Sequence, residues 1–244
     1  MFNKFVILVT CRNVQDYIFN CLQSIKEQSY KNYKVIIVDD CSTDKTLDII
    51  SKFNSSKFSI VKNDVRKWKT KNIKYSIQFH QESEEDIFIF LDGDDWLANS
   101  NVLSTLNRVY NDTDCLLTYG SYLDYPSMTK GKFAKQLPQN VVDNRDYKNY
   151  SWSTSHLVSF RTKLFNAIPE EYFLDWNGEY LKSGADVACI LPMLEMAGNK
   201  IQYIDDILYI YNNNNPLNDH KVDAEMQHNV DKWIRSKPKL EVLK

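Results

Sequence analysis

Apolar runs about one strand long alternate with amphipathic stretches over the first 110 residues of the chain. The apolar runs lie at residues 5–10, 35–38, 58–61 and 87–91. Helix-spaced apolar positions are found between them, at residues 17–28, 45–53, 71–81 and 101–110. Because strands that alternate with helices form right-handed crossover units, this pattern predicts an α/β fold with a mainly parallel sheet.

The periodicity is weaker beyond residue 110. A strand is predicted at 115–119, and residues 120–150 have no period, which predicts a long irregular segment of functional or mobile character. Further on, we expect a strand at 156–160, a short helix at 163–167 and a helix at 185–197 that ends at Gly198. A strand pair at 201–204 and 207–211 would turn at Asp205-Asp206. Val222, Met226, Val230 and Trp233 form the apolar stripe of a last predicted helix.

Clustered acids follow two of the predicted strands directly. Asp39 and Asp40 end the strand at 35–38, and Asp92, Asp94 and Asp95 end the strand at 87–91. Ligands of open α/β sheets bind outside the carboxyl ends of the strands, and oxygen-only ligands suit magnesium or manganese. The alternative is a pair of solvated turns. Ser42 or Thr43 could also cap a helix that begins at Lys45, but capping leaves Asp39 unexplained.

Composition narrows the class of protein. The 244 residues carry a net charge of -2, which argues against a dedicated nucleic-acid binder. A locally basic stretch at 62–74 is either a solvated helix face or a phosphate contact. The five cysteines fit neither a disulfide framework nor a zinc site. Because no segment reads as a signal peptide or an integral membrane segment, we expect a soluble, cytoplasmic protein.

Four segments, taken together and in order, resemble the nucleotide-sugar-dependent glycosyltransferases of family 2. They are residues 9–13, 21–30, 38–44 and 91–96, which include the two acidic turns. The resemblance implies the GT-A fold, a Rossmann-like three-layer α/β/α arrangement with a mainly parallel central sheet and an elaborated C-terminal acceptor region. It also implies a nucleotide-sugar-binding half at 1–120, an acceptor-binding and catalytic half at 121–211, and a C-terminal loop and helix at 212–244.

The resemblance further implies a division of roles at the two acidic turns. Asp39 would recognise the uracil of a UDP-sugar, because a carboxylate can accept the imide N–H, and Thr10 and Arg12 would line the base pocket. Arg66 would lie beside the base with Asn72, although the family's usual glycine-rich surroundings are replaced here. Asp92 would contact the ribose or the sugar, and Asp94 would ligate manganese or magnesium at the diphosphate. Asp95 would join the metal site or cap the following helix.

The second half supplies the remaining candidates. Asp186 matches the family position of an acidic base, and it is also a favourable residue for a helix N-terminus. His220 would complete the metal shell, or it would be an ordinary surface-loop histidine. His156 resembles a family segment near the donor diphosphate or the acceptor. Trp152 and Trp176 are either sugar platforms or core residues. Glu195 is predicted to be a solvated helix residue.

These residues predict a metal-dependent, inverting transfer of a sugar from a UDP-sugar to a hydroxyl of a glycan or of a glycosylated protein. UDP-glucose is the first expected donor, before UDP-galactose and UDP-N-acetylglucosamine. A catalytically inactive sugar-binding or nucleotide-sugar-binding module is one alternative. A sugar-nucleotide nucleotidyltransferase is another, but it would need a glycine-rich loop where residues 10–13 have no glycine. The C-terminal region could also form a homodimer contact.

Overall fold

Four parallel strands form the first half of one sheet. The computed structural model describes residues 2–244 apart from the side chains of Asp219 and His220. Strands β1 (Phe5–Cys11), β2 (Tyr33–Asp39), β3 (Phe58–Lys62) and β4 (Ile87–Asp92) lie in the order β3-β2-β1-β4. Helices α1 (Ile18–Lys26), α2 (Thr46–Ser51), α3 (Lys69–His80) and α4 (Val102–Asp112) connect or follow them. The predicted alternation of strands and helices is therefore present.

The second half continues the same sheet beyond β4. Its strands are β5 (Trp96–Leu97), β6 (Leu117–Tyr125), β7 (Thr129–Lys130), β8 (Ser159–Arg161) and β9 (Ile201–Asn212). The order continues β4-β8-β6-β9-β5, with β8 antiparallel to both of its neighbours and β6 parallel to β9. The helices are α5 (Gln139–Asn144), α6 (Thr162–Asn166), a 3-10 turn (Glu170–Tyr172), α7 (Ala185–Ala197), α8 (Asp219–Val222) and α9 (Ala224–Ser236).

Two expectations about the second half are wrong. Residues 120–150 are not irregular throughout, because β6 runs on to Tyr125 and the segment also contains β7 and α5. Residues 201–212 form one strand and not a strand pair. The pairing of β6 with β9 slips at Asp205 and Asp206, since Gly120 faces Ile204 while Ser121 faces Ile207. The two acids are thus bulged out of a continuous strand, a local event that resembles a turn in sequence.

Alternating side chains of the parallel strands fill two cores, one on each face of the sheet. Val6, Leu8 and Ile36 pack with α3 and α7, whereas Ile7, Ile37 and Ile89 pack with α1 and α4. Because successive side chains of a strand point to opposite faces, strands covered on both sides are apolar nearly throughout. The fully apolar runs that indicated these strands in the sequence have this cause.

The last helix and the residues after it are tied to residues 147–150 and to α7. Arg235 donates to the carbonyl oxygens of Tyr147, Lys148 and Tyr150 at 2.7 to 3.3 Å. Glu195 is 1% exposed, pairs with Lys148 at 3.1 Å and accepts the N–H of Leu240, so the prediction of a solvated residue is wrong. It failed because α7 is apolar on nearly all sides and therefore buried.

The predicted stripe on the final helix is also only partly right. Val230 is buried, whereas Val222 is 65% exposed and precedes α9. Ile234, which was not part of the predicted stripe, is fully buried. Within residues 2–244, none of the helices has both the length and the apolar character needed to cross a membrane.

Candidate active site

A buried carboxylate with one unpaired oxygen ends strand β2. Asp39 is fully buried, and its Oδ2 accepts the backbone N–H of Ser42 at 3.2 Å. Its Oδ1 is also buried and has no hydrogen-bond partner among the described residues. Because buried polar atoms are nearly always paired, such an oxygen calls for a donor from outside the chain. Cys11, the last residue of β1, lies directly opposite Asp39 in the sheet.

The neighbouring carboxylate, Asp40, is fully used within the protein. It accepts the backbone N–H groups of Lys67 and Trp68 at 2.7 and 2.9 Å and the Asn63 amide at 2.9 Å. Burial acts to raise the pKa of Asp40, but the hydrogen bonds from Lys67 and the other donors outweigh it, and the pKa is lowered. Asp40 therefore fixes the backbone just before α3.

Arg66 lies in the loop that Asp40 holds. Its guanidinium stacks on the Trp68 ring, 3.3 Å from the ring centroid, a cation–π contact that orients the side chain. Asn72 is buried on α3, and its Oδ1 accepts from Asn63 at 2.7 Å. The structure thus joins Asn72 to Asp40 through Asn63, while Arg66 remains exposed on the same loop.

Thr10 and Arg12, two of the predicted site residues, lie at the end of β1. Thr10 Oγ1 donates to Asp92 Oδ1 at 3.4 Å, so Thr10 lies beside the acidic turn. Arg12 Nε is buried and lacks a hydrogen-bond partner in the part of the chain that the structure describes. An unpaired guanidinium nitrogen and the unpaired oxygen of Asp39 thus flank the end of β1.

The turn after β4 is built by contacts to β1 and to the chain beyond β9. Gly93 N–H donates to the Thr10 carbonyl at 2.9 Å, and Asn215 Nδ2 donates to Asp94 Oδ2 at 2.7 Å. Burial and the nearby charge of Asp92 raise the pKa of Asp94 to about 6. The turn therefore holds Asp94 in surroundings whose negative charge a cation would complement.

Asp95 is a buried residue with structural hydrogen bonds, but it does not cap a helix. It is 1% exposed and accepts the Tyr209 hydroxyl and the Asn212 N–H, both at 2.6 Å. Burial and the charges of Asp94 and Asp92 raise its pKa well above the usual range. The prediction that it caps the next helix is wrong, because α4 begins only at Val102.

The earlier capping expectation is corrected in the same way. Ser42 accepts the N–H of Asn13, and Thr43 donates to the Asn13 amide oxygen, so neither caps α2. The first helical residue, Thr46, instead donates its N–H to Asp44 at 2.9 Å.

A lysine joins the acidic turn to the candidate base. Lys69 Nζ lies 2.8 Å from Asp92 Oδ1, 2.9 Å from Asp92 Oδ2 and 3.2 Å from Asp186 Oδ1. Burial acts to raise the pKa of Asp186, but Lys69 and then His156 outweigh it, and the pKa is lowered. The basic stretch at 62–74 was predicted to be either a solvated helix face or a phosphate contact. Lys69 does neither in the structure, because its ammonium forms ion pairs with the carboxylates of Asp92 and Asp186.

His156 lines a pocket beside Lys69 and Asp186. Its ring stacks on Tyr209 with centroids 4.5 Å apart and planes 10° apart, and it also stacks on Tyr211. Burial lowers the pKa of His156, which favours the neutral imidazole. Lys69, Asp92, Trp152 and Asp186 line the pocket with it. Its predicted place near the donor diphosphate or the acceptor stays a prediction.

The two candidate tryptophans have different environments. Trp152 is half-buried, lines the pocket and donates its indole N–H to Ser155 at 2.8 Å. Trp176 is 48% exposed and meets the Trp233 ring edge to face, away from that lining. Of these two tryptophans, Trp152 lines the pocket and Trp176 does not.

Asp94 is the candidate metal ligand whose side chain the structure describes, and substrate phosphates would supply further ligands. Within the described residues, no three His, Cys, Asp or Glu side chains converge as a metal cluster. The side chain of His220, the other predicted ligand, lies outside the described residues. A single buried carboxylate with raised pKa fits a magnesium-type or manganese-type ion, because such ions keep water and substrate phosphates as ligands. The residues present therefore fit a metal that binds together with a diphosphate.

The family model described as glycosyl transferase family 2 matches residues 6–173. The chain belongs to this family. Among curated relatives, the Escherichia coli UDP-Glc:alpha-D-GlcNAc-diphosphoundecaprenol beta-1,3-glucosyltransferase WfaP is 26% identical over 172 residues, which are 70% of this chain and 67% of WfaP. The family membership and the predicted glycosyltransferase class are thereby confirmed.

Solved structures support the fold. Staphylococcus aureus TarS 1-349 in complex with UDP-GlcNAc matches with a TM-score of 0.68 at 21% identity, covering 95% of this chain and 65% of that one. Mycobacterium tuberculosis glucosyl-3-phosphoglycerate synthase, in complex with Mn2+, UDP and glucosyl-3-phosphoglycerate, matches with a TM-score of 0.61 at 15% identity, covering 96% and 80%. These likenesses confirm the predicted GT-A fold.

The structure contains a contact network that the sequence did not suggest. Lys69, Asn215 and Tyr209 each bond an acid of the 92–95 turn. A strand rich in tyrosine and an asparagine run at 212–215 were the available signals, but neither indicates a partner by itself.

Proposed function

We propose that the chain is a metal-dependent, inverting hexosyltransferase that uses a UDP-sugar, with UDP-glucose as the first donor to test. The observation that supports it most is the unpaired, buried Oδ1 of Asp39 at the sheet edge that also carries Asp92 and Asp94. An acceptor atom in that position suits the imide N–H of uracil. The GT-A relatives are solved with UDP-GlcNAc and with UDP and Mn2+, which supports this class of donor.

In this proposal, the remaining residues of the edge divide the donor between them. Thr10, Arg12 and Arg66 line the nucleoside, Asp92 contacts the ribose or sugar, and His156 with Trp152 bounds the sugar pocket. Asp94, with His220 as a second candidate ligand, would hold manganese or magnesium. When bound, such an ion supplies Lewis-acid stabilisation of the diphosphate charge. Residues 1–120 would then bind the donor, and 121–211 the acceptor.

The transfer step uses the chain's own base. The acceptor hydroxyl oxygen forms a bond to the anomeric carbon while the bond from that carbon to the diphosphate oxygen breaks, and the electron pair leaves with UDP. The hydroxyl proton passes to the Asp186 carboxylate, which the positive charge of Lys69 keeps ionised. Attack opposite the leaving group inverts the anomeric configuration.

The acceptor is proposed as a hydroxyl of a glycan or of a glycosylated protein. The relative WfaP is named for transfer to a sugar-diphosphate lipid, which supports a saccharide acceptor. The division of the chain into halves and the C-terminal homodimer remain predictions. In this fold, residues 237–243 pack against α7 and the α5 region of their own chain.

The test of the donor begins with a binding and turnover panel. The protein is incubated with Mn2+ and with UDP-glucose, UDP-galactose, UDP-N-acetylglucosamine or GDP-mannose, and release of the nucleoside diphosphate is measured with and without EDTA. We expect release from a UDP-sugar that EDTA suppresses. If no UDP-sugar binds or is cleaved, the proposal fails. Tight binding without any release would indicate an inactive binding module.

The Asp39→Asn variant tests the uracil contact by itself. Ser42 N–H holds one side-chain oxygen, so the asparagine must turn its NH2 toward the base and oppose the uracil imide N–H. A hydrogen bond to a charged group contributes about 1.5–3 kcal/mol, so UDP should bind roughly 10-fold to 150-fold more weakly. CDP, whose cytosine N3 is an acceptor, should lose less or gain. The exposed Asp48→Asn on α2 is the matched control.

A further inference from the structure

We infer that Lys69 is a positioning residue of the transfer reaction, and that its ammonium holds the Asp186 carboxylate beside Asp92, where donor sugar and acceptor hydroxyl must meet. The inference rests on the function proposed above. Lys69 belongs neither to the acidic turn at 92–95 nor to the predicted base position at Asp186.

The geometry joins three separate elements at one nitrogen. Lys69 begins α3, Asp92 ends β4, and Asp186 is the second residue of α7. Lys69 Nζ contacts both oxygens of Asp92 at 2.8 and 2.9 Å and one oxygen of Asp186 at 3.2 Å. All three side chains are partly open to the pocket, with exposures of 25%, 25% and 41%. The ion pair therefore lies at the pocket itself, and not in the protein core.

The start of α3 is itself held firmly. Asp40 accepts the N–H groups of Lys67 and Trp68, and Trp68 has a positive φ of 68°. That left-handed residue turns the chain immediately before Lys69 and so directs it into the helix. Asp40 adjoins Asp39 and fixes the start of α3, and from there Lys69 orients the Asp186 carboxylate.

This arrangement gives the two oxygens of Asp186 different tasks. Lys69 binds Oδ1, which fixes the carboxylate and leaves Oδ2 to take the proton of the acceptor hydroxyl. The ammonium also separates two carboxylates whose repulsion would favour protonation of one of them. A base must be ionised and correctly aimed before it accepts a proton, and Lys69 serves both requirements.

The test compares Lys69→Met, which removes the charge and keeps an unbranched side chain, with Lys69→Arg, which keeps the charge. Lys163→Met is the matched control. Lys163 also lies in the first turn of a helix, α6, and pairs with Glu85 at 2.8 Å. It lies near the start of β4, whose other end carries Asp92, since Arg161 faces Ile87 in the sheet. UDP affinity is measured by calorimetry, and kcat and KM by release of UDP from UDP-glucose with water as acceptor.

We expect Lys69→Met to lower kcat at pH 7.5 by about 10-fold to 100-fold, a loss typical of a misplaced reacting group. If Asp92 contacts the sugar and not the ribose, the dissociation constant of UDP should stay within about threefold of the wild-type value, because UDP lacks that sugar. Lys69→Arg should recover a large part of kcat, and Lys163→Met should retain all of it.

The pH profile of kcat separates positioning from a merely structural role. The charged or titratable groups that face Asp186 are Lys69, His156, Cys189 and, on the other side of the Lys69 ammonium, Asp92. Since a positive charge lowers the pKa of a carboxylate, its removal should shift the acid limb of the profile to higher pH.

Two results would overturn the inference. One is a Lys69→Met enzyme with wild-type kcat and an unmoved acid limb. The other is a loss of kcat that is equal at every pH and parallels a loss of UDP affinity, which marks a folding defect. Failure of the proposed function looks different, because the wild-type protein itself would then release no UDP from any UDP-sugar of the panel, whether or not it binds UDP.

Discussion

Gly93, between the two acids proposed to contact donor and metal, is a position where one added methyl group should disturb the fold and the candidate site together. A Cβ at this residue would lie 2.5 Å from Cys11 Cβ and 3.3 Å from the Thr10 carbonyl oxygen. Carbon atoms in contact are about 3.5–4.0 Å apart, so the turn must move by roughly 1 Å away from β1. That movement displaces Asp92 and Asp94 together.

We expect Gly93→Ala to lower the free energy of unfolding by about 1–3 kcal/mol, the usual cost of overpacking. For a chain of this size, this corresponds to a fall in Tm of roughly 2–12 °C. A displacement of 1 Å should also reduce kcat for UDP release by about 100-fold. Differential scanning fluorimetry and the UDP-release assay measure the two effects on the same preparation.

The Cys11 side chain provides the control. Cys11→Gly removes the Cβ that Gly93→Ala would strike, whereas Cys11→Ala retains it. The double variant with Cys11→Gly should therefore recover part of the activity lost in Gly93→Ala, and the double variant with Cys11→Ala should not. Wild-type Tm and kcat in Gly93→Ala alone, or equal rescue by both double variants, would refute the steric reasoning.

Three further changes test the rest of the site and its support. Asp186→Asn should leave the UDP dissociation constant within about threefold but lower kcat by 100-fold or more, because general-base catalysis contributes about 10²–10⁴-fold; a full transfer rate would exclude Asp186 as the base. Asp94 has its pKa raised to about 6 in the fold, so the metal-free protein loses stability as the pH rises from the ordinary aspartate pKa to about 6, and the loss is complete above that pH. Asp94→Asn should then raise Tm at pH 7.5 by clearly more than at pH 4, and should abolish EDTA-sensitive UDP release; an equal Tm change at both pH values would contradict the assignment. Lys148→Met leaves the buried Glu195 carboxylate without its cation and should lower the free energy of unfolding in urea by about 3–5 kcal/mol; a loss below 1 kcal/mol would contradict a buried Lys148–Glu195 ion pair.

The sequence predicted the features that depend on neighbouring residues. The apolar runs gave β1 to β4 because each strand is covered on both faces, and the acids that follow β2 and β4 meet at one edge because parallel strands end on the same side. The C-terminal bound of α7 was predicted from a neighbouring residue as well, because Gly198, with its positive φ, ends the helix directly after Ala197.

The features that the sequence did not predict depend on distant partners. Asp95 resembled a helix cap because its true partners, Tyr209 and Asn212, lie 114 and 117 residues further along the chain. Glu195 resembled a solvated residue because its cation, Lys148, lies in another part of the sequence. Lys69 was one of several basic residues, and only the fold selects it to meet Asp92 and Asp186.

The bond between Asp95 and Asn212 also has a consequence for the order of folding during synthesis. Strands β1 to β4 are complete once residue 92 has emerged, whereas the partner of β5 in the sheet is β9, which comes much later in the chain. Translation at about 5–20 residues per second separates Asp95 from Asn212 by roughly 6 to 23 s. For that interval, the nascent chain holds the finished parallel strands with an acidic turn whose buried carboxylate still has to find its partners. The ribosome therefore delivers the four parallel strands well before it delivers the chain segment that completes the candidate site.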